Sequence, residues 1–442
     1  MERLRLLYLT HQYFPRHVGG TEVYTRGLAI RAQQAGHVVR VVTAVESRDS
    51  NCKLVHTEHD GVPVTEVHQS LGHCVNSARA EFDNPEIAKA LAPLLESERP
   101  DVVHALHGMK LSAAALDLCY RMGLPTVVTL VDFWFICGRH TLLRWNGKLC
   151  TGPAHDLDCL ECMHDAHGFG DSSLRALNPE VLRIVADKAP AFLQSHRFWR
   201  DVDAVRNRRD HLRRIVERAD RVIVLSDFQK ALYVRNGYRE EKIQVLHHGL
   251  ETEGLKPATA VGGPLKFIFI GSLVYHKGVH VLLNAFARRP QAHIQLSIYG
   301  DVSLSNPYVD SLKQQAASEP RVKLMGTFLT SEMGRVLETG HALVMPALWY
   351  ENEPLVVKAA RYVGLPVLAS NIGTLATSVQ DGVNGKLVAP GDVEAWADAI
   401  ATFRPRPIKP DTSIKTIDEN AREMLAIYQE VYAKHKCSEQ ST

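Results

Sequence analysis

No run of eighteen consecutive apolar residues occurs anywhere in the 442-residue chain. A helix needs about twenty such residues to cross the hydrocarbon core of a bilayer, so a helical membrane span is excluded. The first ten residues, Met-Glu-Arg-Leu-Arg-Leu-Leu-Tyr-Leu-Thr, read as a strand rather than a secretory signal, and the expected location is the cytoplasm. An excess of one charge is also missing: 51 Lys and Arg against 49 Asp and Glu leave +2, which gives no case for a nucleic-acid partner. Cysteine is scarce, and eight over this length cannot form a disulfide scaffold. Neither half carries a Gly-x-Gly-x-x-Gly turn with an acidic residue about twenty positions on, which argues against a dinucleotide-binding module. No internal repeat is apparent.

What remains is an ordinary globular composition, 45% hydrophobic and 23% charged, in a chain too long for one core. Strand-like runs alternate with helical stretches, as in parallel sheets covered on both faces. Arg5–Leu9, Val38–Thr43, Asp101–Ala105, Pro125–Leu130, Arg221–Leu225 and Lys242–Leu246 are the strands of a first domain, with helical stretches at Glu22–Gln34 and Leu111–Met122. Thr252–Pro264, rich in Gly, Pro, Thr and Ala, reads as a linker. The alternation then restarts at Lys266–Ile270, Ile294–Tyr299, Val322–Leu324, Ala342–Met345 and Pro366–Ala369. The expected fold class is α/β, with two doubly wound Rossmann-like domains over 1–255 and 262–410. Such sheets predict a ligand cleft at the carboxyl ends of their strands.

Residues 345–370 are the most informative. The strand Ala342–Met345 leads through Pro346–Tyr350 to Glu351, and Pro354 suits the first turn of a helix, where its missing N–H costs nothing. The free amides of that turn and the positive end of the helix dipole suit an anion such as a diphosphate. Glu351 beside them can accept hydrogen bonds from hydroxyls. A ligand joining polyol to phosphate, as a nucleotide sugar does, fits both.

Here the chain resembles the retaining family 4 glycosyltransferases of the GT-B fold, whose signature is a Glu-x7-Glu pair enclosing Pro-Leu-Val and followed by Gly-Leu-Pro-Val. The resemblance implies that Glu351 contacts the donor sugar, beside Leu355 and Val356 at the diphosphate, and that a second Glu contacts the ribose. That second position is Ala359. Gly19 and Gly20, in the turn after the first strand, match a Gly-Gly loop near the donor diphosphate and the acceptor. Without a Cβ, their backbone can approach a ligand closely, although a plain tight turn fits them as well. Lys277, in the turn before the Val279–Ala287 helix, matches a Lys-Gly pair that serves the leaving diphosphate, where it supplies a point charge. Ser272 stands at a donor-facing position where many members have Arg, which removes a bidentate cation. Val131 replaces a His, and Thr374 and Thr377 replace a Gly and an acid of the family pattern.

The resemblance therefore implies transfer of a sugar from a UDP-, GDP- or ADP-sugar to a glycan, lipid-linked or small-molecule acceptor, in polysaccharide biosynthesis or a related pathway. Glu351 and Lys277 are the expected catalytic residues, and no catalytic metal is required. The alternative is a catalytically silent GT-B subunit supporting a partner glycosyltransferase. The resemblance also implies that 411–442, with an amphipathic stretch at Thr416–His435, crosses back to the first domain.

Cys137, Cys150, Cys159 and Cys162 cluster in a loop-like stretch, 133–167, matched by a Cys-rich insertion in some family members. A structural zinc site of four thiolates fits them, as do disulfides and free thiols, with His140, His155, His164 and His167 as spare ligands. Residues 197–218 interleave Arg with apolar side chains. They read either as a basic helix on an anionic membrane surface, placing the protein at the inner face of the membrane, or as a helix packed on the first domain.

Overall fold

The computed structural model describes residues 2–49, 52–70, 77–153, 155–167, 197–258, 262–290, 292–406 and 408–439. The chain divides into two compact units: Met1–His247 with Asp418–Thr442, and His248–Ile417. Residues 248–255 and 411–417 thus lie in the second unit, where the backbone of Leu250 pairs with Lys415 and Ile417. No helix among the described residues is long and apolar enough to cross a membrane.

The first unit is built on β1 (Arg5–Thr10), β2 (Val38–Glu46), β3 (Lys53–His59), β4 (Val62–Gln69), β5 (Val102–Ala105), β6 (Thr126–Leu130), β7 (Arg221–Val224) and β8 (Ile243–Val245). Their order across the sheet is β3-β4-β2-β1-β5-β6-β7-β8. All pairings are parallel except β3 with β4, a hairpin. Its turn, Asp60-Gly61, adopts left-handed φ values of 51° and 74°, as an Asp-Gly hairpin turn requires. The hairpin is absent from the sequence expectation, as is the edge strand of the second sheet. Both lack the apolar run that identifies a central strand: β3 is mostly exposed.

After β1 the chain enters α1 (Gly20–Gln34), which buries Tyr24, Leu28, Ala29 and Ala32. The basic stretch is α2 (Arg197–Glu217), and its apolar face is buried in the unit through Phe198, Val202, Val205, Leu212, Ile215 and Val216. That packing is what the packed-helix alternative expects.

The second unit contains β9 (Leu265–Ile270), β10 (Ile294–Tyr299), β11 (Val322–Gly326), β12 (Ala342–Met345), β13 (Val367–Ser370) and β14 (Gly385–Val388), in the order β11-β10-β9-β12-β13-β14 and all parallel. One face carries a core around Phe267, Phe269, Leu282, Phe286 and Trp396. The other packs Ile268, Leu343, Val357 and Ala360. The helix after β12 is α3 (Leu355–Val363), and Pro354 is its N-cap rather than its first helical residue. The terminal helix α4 (Ile417–Glu439) lies in the first unit beyond its first residue. There Tyr428 is fully buried, with its hydroxyl 2.6 Å from His104 Nδ1, and Asn420 Oδ1 accepts from the Tyr24 hydroxyl at 2.8 Å.

Each sheet reverses its winding at one place, between β1 and β5 in the first unit and between β9 and β12 in the second. In open α/β sheets, ligands bind outside the carboxyl ends of the strands at such switch points. The loops after these four strands carry the candidate functional residues.

Candidate functional site

In the second unit the two switch-point loops are tied together. The turn after β9 is a short 3-10 segment, Tyr275–Lys277, closed by Gly278 at φ 75°. A Cβ on Gly278 would lie 1.9 Å from the Pro346 carbonyl oxygen, so only glycine lets this turn pass the end of β12. Leu348 N–H then donates to the His276 carbonyl at 2.8 Å. The result places Lys277 against the loop that carries Glu351.

The two side chains meet directly. Lys277 Nζ lies 2.7 Å from Glu351 Oε1, and Trp349 Nε1 donates to the same oxygen at 2.7 Å. The ammonium also sits 5.2 Å from the centre of the Trp349 ring. Glu351 is buried and Lys277 half-buried. Sequence reasoning assigned these two residues to separate parts of a ligand, whereas here they satisfy each other. It missed Trp349; the only signal was an aromatic two positions before the Glu.

Beside this pair, the N–H groups of Leu355 and Val356 open α3, and the N-cap Pro354 supplies no side-chain acceptor. Ser272 is exposed just past the end of β9. Ala359 is fully buried on α3 and stays apolar. Glu353 serves α3 itself: Oε1 is 2.8 Å from Lys358 Nζ, and Oε2 accepts from His248 N–H at 2.6 Å. Burial lowers the Lys358 pKa against the opposing pull of Glu353. Thr374 is buried, and exposed Thr377 donates its hydroxyl to the Thr374 carbonyl at 3.0 Å.

In the first unit, Gly19 is the N-cap of α1, and a Cβ there would stand 2.6 Å from Glu22 Oε2. The glycine admits the Glu22 carboxylate, which accepts from the Gly19 N–H and from its own. Glu22 thus takes up the Gly19 amide, whereas Gly20 is exposed. Glu22 Oε1 lies 3.6 Å from Nε2 of His11, the first residue after β1. The His11 ring lies against that of His107, two residues past β5, with centroids 4.1 Å apart and planes tilted by 35°. His107 Nδ1 accepts the Met109 N–H at 3.0 Å, which leaves Nε2 as the protonated nitrogen, donating to Asp132 Oδ2 at 2.7 Å. Asp132 Oδ1 accepts the Trp134 N–H at 2.8 Å, and its carbonyl accepts from the Tyr233 hydroxyl at 2.7 Å. The loop after β5 carries left-handed φ values at Lys110 (64°) and Ser112 (58°), an uncommon backbone for such residues.

Charge is distributed unevenly over this cluster. Burial raises the Glu22 pKa, and burial with the nearby His107 drives His11 well below its ordinary value, so His11 is a neutral ring. Burial acts most strongly on Asp132 and raises it, but His107, His140 and the Trp134 N–H together hold the carboxyl below the usual range. Val131, beside it, is buried. The sequence analysis singled out none of His11, Glu22, His107 or Asp132 as a site residue. The signal for His11, His107 and Asp132 was position just past strand ends; Glu22, in the first turn of α1, carried none beyond following the Gly19–Gly20 turn.

Cys137, Cys150, Cys159 and Cys162 line one cavity of about 270 Å³ together with Arg139 and Arg144. All four are free thiols, so no disulfide forms among them. No group of three or more His, Cys, Asp or Glu among the described residues is arranged to hold a metal ion. The zinc site expected from their spacing is therefore not preformed. The Cys137 thiol is pushed up to about 11 by burial, against N–H contacts from Arg139 and Leu142. Burial raises Cys159 and Cys162 as well. His155 and His164 are described; the side chain of His167 lies outside the described residues.

Comparison with known proteins now fits this geometry. Residues 19–155 match the glycosyl transferase 4-like domain, and residues 264–403 match the glycosyl transferases group 1 domain, together more than half of the chain. The chain belongs to the family 4 glycosyltransferases. Among curated relatives, it is 34% identical to a D-inositol 3-phosphate glycosyltransferase of Corynebacterium urealyticum over 208 residues, 42% of this chain and 49% of that one. A D-inositol 3-phosphate glycosyltransferase of Mycolicibacterium paratuberculosis is 29% identical over 204 residues, 42% of this chain and 45% of that one. The chain thus spans about half the length of the curated relatives it matches. Two solved structures share its GT-B fold over essentially their whole length. Sucrose-phosphate synthase from Thermosynechococcus elongatus aligns with a TM-score of 0.60 at 17% identity, covering 99% of both chains. Anabaena HepE in complex with UDP-glucose aligns with 0.60 at 18% identity, covering 100% of both. At these identities the family 4 likeness to solved structures concerns the fold.

Proposed function

We propose that the protein transfers a sugar from a nucleotide sugar to a glycan, lipid-linked or small-molecule acceptor, with retention of anomeric configuration. The observation that carries this reading is the Lys277–Glu351 pair at the β9/β12 switch point, beside the uncapped first turn of α3. A diphosphate entering at Leu355 and Val356 meets two backbone N–H groups and the positive end of α3. It draws the Lys277 ammonium away from Glu351, and this one exchange frees Glu351 Oε1 to accept from sugar hydroxyls. Lys277 then stabilises charge that grows on the leaving diphosphate, an electrostatic term that is usually the largest in such reactions. No step needs a metal. Gly19, Gly20 and Ser272 remain proposed donor contacts, and UDP, GDP and ADP are the carriers to compare.

Lys277→Ala tests this reading. Release of nucleoside diphosphate from a turned-over donor should fall roughly a hundredfold or more, the loss seen when one such donor is removed. An unchanged rate would exclude Lys277 from the reaction.

One observation favours a second reading. The Lys277 charge is already met by Glu351, and buried Ala359 offers a ribose no acceptor. A silent subunit that supports a partner glycosyltransferase would keep both. In that case the wild-type protein would turn over no donor, and Lys277→Ala would leave the partner's activity unchanged.

Zinc remains a separate proposal for the loop at 133–167. It rests on the four thiols sharing one cavity, and they would have to close on the ion from their present positions. About one equivalent of bound zinc in the purified protein supports it; none removes it.

A further inference from the structure

We propose that the cavity between residues 136–163 and α2 is an anion site, in which the Arg208 guanidinium takes a small oxyanion of phosphate or sulfate size. The inference involves neither the donor nor the transfer step and stands apart from the transferase reading. Its basis is a buried cation with one side unanswered. Arg208 and Glu81 have side chains only 4% and 3% exposed. Glu81 engages two of the three guanidinium nitrogens, Nε at 2.9 Å and Nη2 at 3.4 Å. Nη1 is buried and has no hydrogen-bond partner among the described residues. A donor left bare in the interior costs about 1–3 kcal/mol, and more on a charged group, so such an atom calls for an occupant.

The guanidinium is held in place. The Trp134 and Phe82 rings lie 5.0 and 5.8 Å from its central carbon, and Glu81 also accepts from Trp134 Nε1. Arg208 lines the cavity of about 270 Å³ and Glu81 does not, so the two engaged nitrogens turn away from the space and Nη1 is the one left for it. The volume is far more than a single water needs. The wall has the matching sign: among the described residues, five arginines line the cavity against three aspartates. Asp156, Asp158 and Asp210 answer Arg206, Arg144 and Arg209 at 2.7, 3.6 and 3.6 Å. Counting Glu81 against Arg208 still leaves this lining positive. A fixed guanidinium N–H in such a field suits a charge-assisted hydrogen bond to an oxyanion. A metal dication would enter against the same field unless all four thiols gave up their protons, so anion and zinc are rival occupants of one cavity. An Arg208 that only neutralised Glu81 would bind nothing at Nη1.

Titration calorimetry of the wild-type protein with inorganic phosphate, in a chloride buffer of constant ionic strength, should show saturable binding of about one equivalent, for which sulfate competes. Arg208→Met combined with Glu81→Gln removes the guanidinium together with the carboxylate it answers, so no buried charge is stranded. Phosphate affinity should fall about tenfold or more, as when a charge-assisted hydrogen bond is lost. A second readout needs no variant. At one fixed pH, saturating phosphate should slow iodoacetamide labelling of Cys137, Cys150, Cys159 and Cys162 severalfold, read by peptide mass spectrometry, and leave exposed Cys437 unchanged.

No saturable phosphate binding by the wild type would overturn the inference, as would unchanged affinity in a double variant that still melts cooperatively. If that variant does not fold, the labelling decides alone, and rates at the four cavity cysteines that phosphate leaves untouched overturn the inference. Purified wild type holding zinc that shields all four thiols would overturn it in favour of the zinc proposal. None of these outcomes bears on Lys277 or on sugar transfer.

Discussion

Glu351 Oε1 receives both the Lys277 ammonium and the Trp349 indole N–H, in a pocket that exposes 6% of the Glu351 side chain. Removing one member of such a pair leaves a buried charge with less compensation, which costs about 3 kcal/mol or more when burial is deep. Lys277 is 19% exposed, so a smaller loss, about 1–2 kcal/mol, is expected for Lys277→Ala in urea unfolding, and less for the double Lys277→Ala/Glu351→Gln variant than for the single one. Ala359 reverses an intuition drawn from the family pattern. Writing the missing acid back as Ala359→Glu would put a carboxylate at a position 1% exposed, against Leu343, Val357 and Ala360. Loss of stability by about 2 kcal/mol or more is expected, read as a lower melting temperature, with no gain in nucleotide affinity. At this scale the sequence identified Lys277 and Glu351 through motif spacing. It could not reveal their mutual bond, because the side chains are 74 positions apart and meet only where Gly278 passes Pro346 and Leu348 bonds His276.

The α2 helix shows how an element-scale reading depends on what covers its apolar face. Arg208 counted as one cation of a basic stretch, yet it is buried with Glu81, Nε to Oε2 at 2.9 Å, and lies over the Trp134 ring. Arg208→Ala strands Glu81 in the core and should destabilise the protein by about 3–5 kcal/mol in denaturant unfolding. Co-sedimentation should show equal recovery in the supernatant with neutral and anionic vesicles at physiological salt; salt-sensitive pelleting with anionic vesicles would revive the membrane reading. The loop at 133–167 offers a chemical test. With Cys137 raised to about 11, native labelling of Cys137 by iodoacetamide, followed by peptide mass spectrometry, should be slow at pH 7 and quicken as pH rises. Central strands and long helices were legible because their apolar runs or stripes are buried on this scaffold. The edge strands β3 and β14 were not, because they are half solvated and carry no such run, and β4 was not, because its buried positions include the polar Thr65, Glu66 and Gln69.

The first unit also buries an imidazole without charge. His104 is fully buried between the Tyr428 hydroxyl and Thr129 Oγ1, 2.6 and 2.7 Å away, and burial lowers its pKa to about 3. In the unfolded chain the ring takes up a proton near pH 6.5, while the folded ring resists it. The stability that this depressed pKa represents is therefore present above pH 6.5 and drains away as pH falls towards about 3. The urea midpoint should fall over that window, and His104→Asn should show a shallower slope. The two-domain α/β architecture was legible from alternation alone, whereas the exact division was not. Residues 248–255 and 411–417 join the second unit through backbone pairing that leaves no trace in composition.

The central claim is that the chain turns over a nucleotide sugar through Lys277 and Glu351. Purified protein mixed in turn with UDP-, GDP- and ADP-sugars, followed by thermal shift and by release of nucleoside diphosphate, tests it most directly. One nucleotude class should raise the melting temperature by about 5 °C or more at a hundredfold excess over its Kd. The same class should give diphosphate release that Lys277→Ala lowers roughly a hundredfold. No shift and no release with any of the three donors, in the presence of sugar and polyol acceptors, would contradict it.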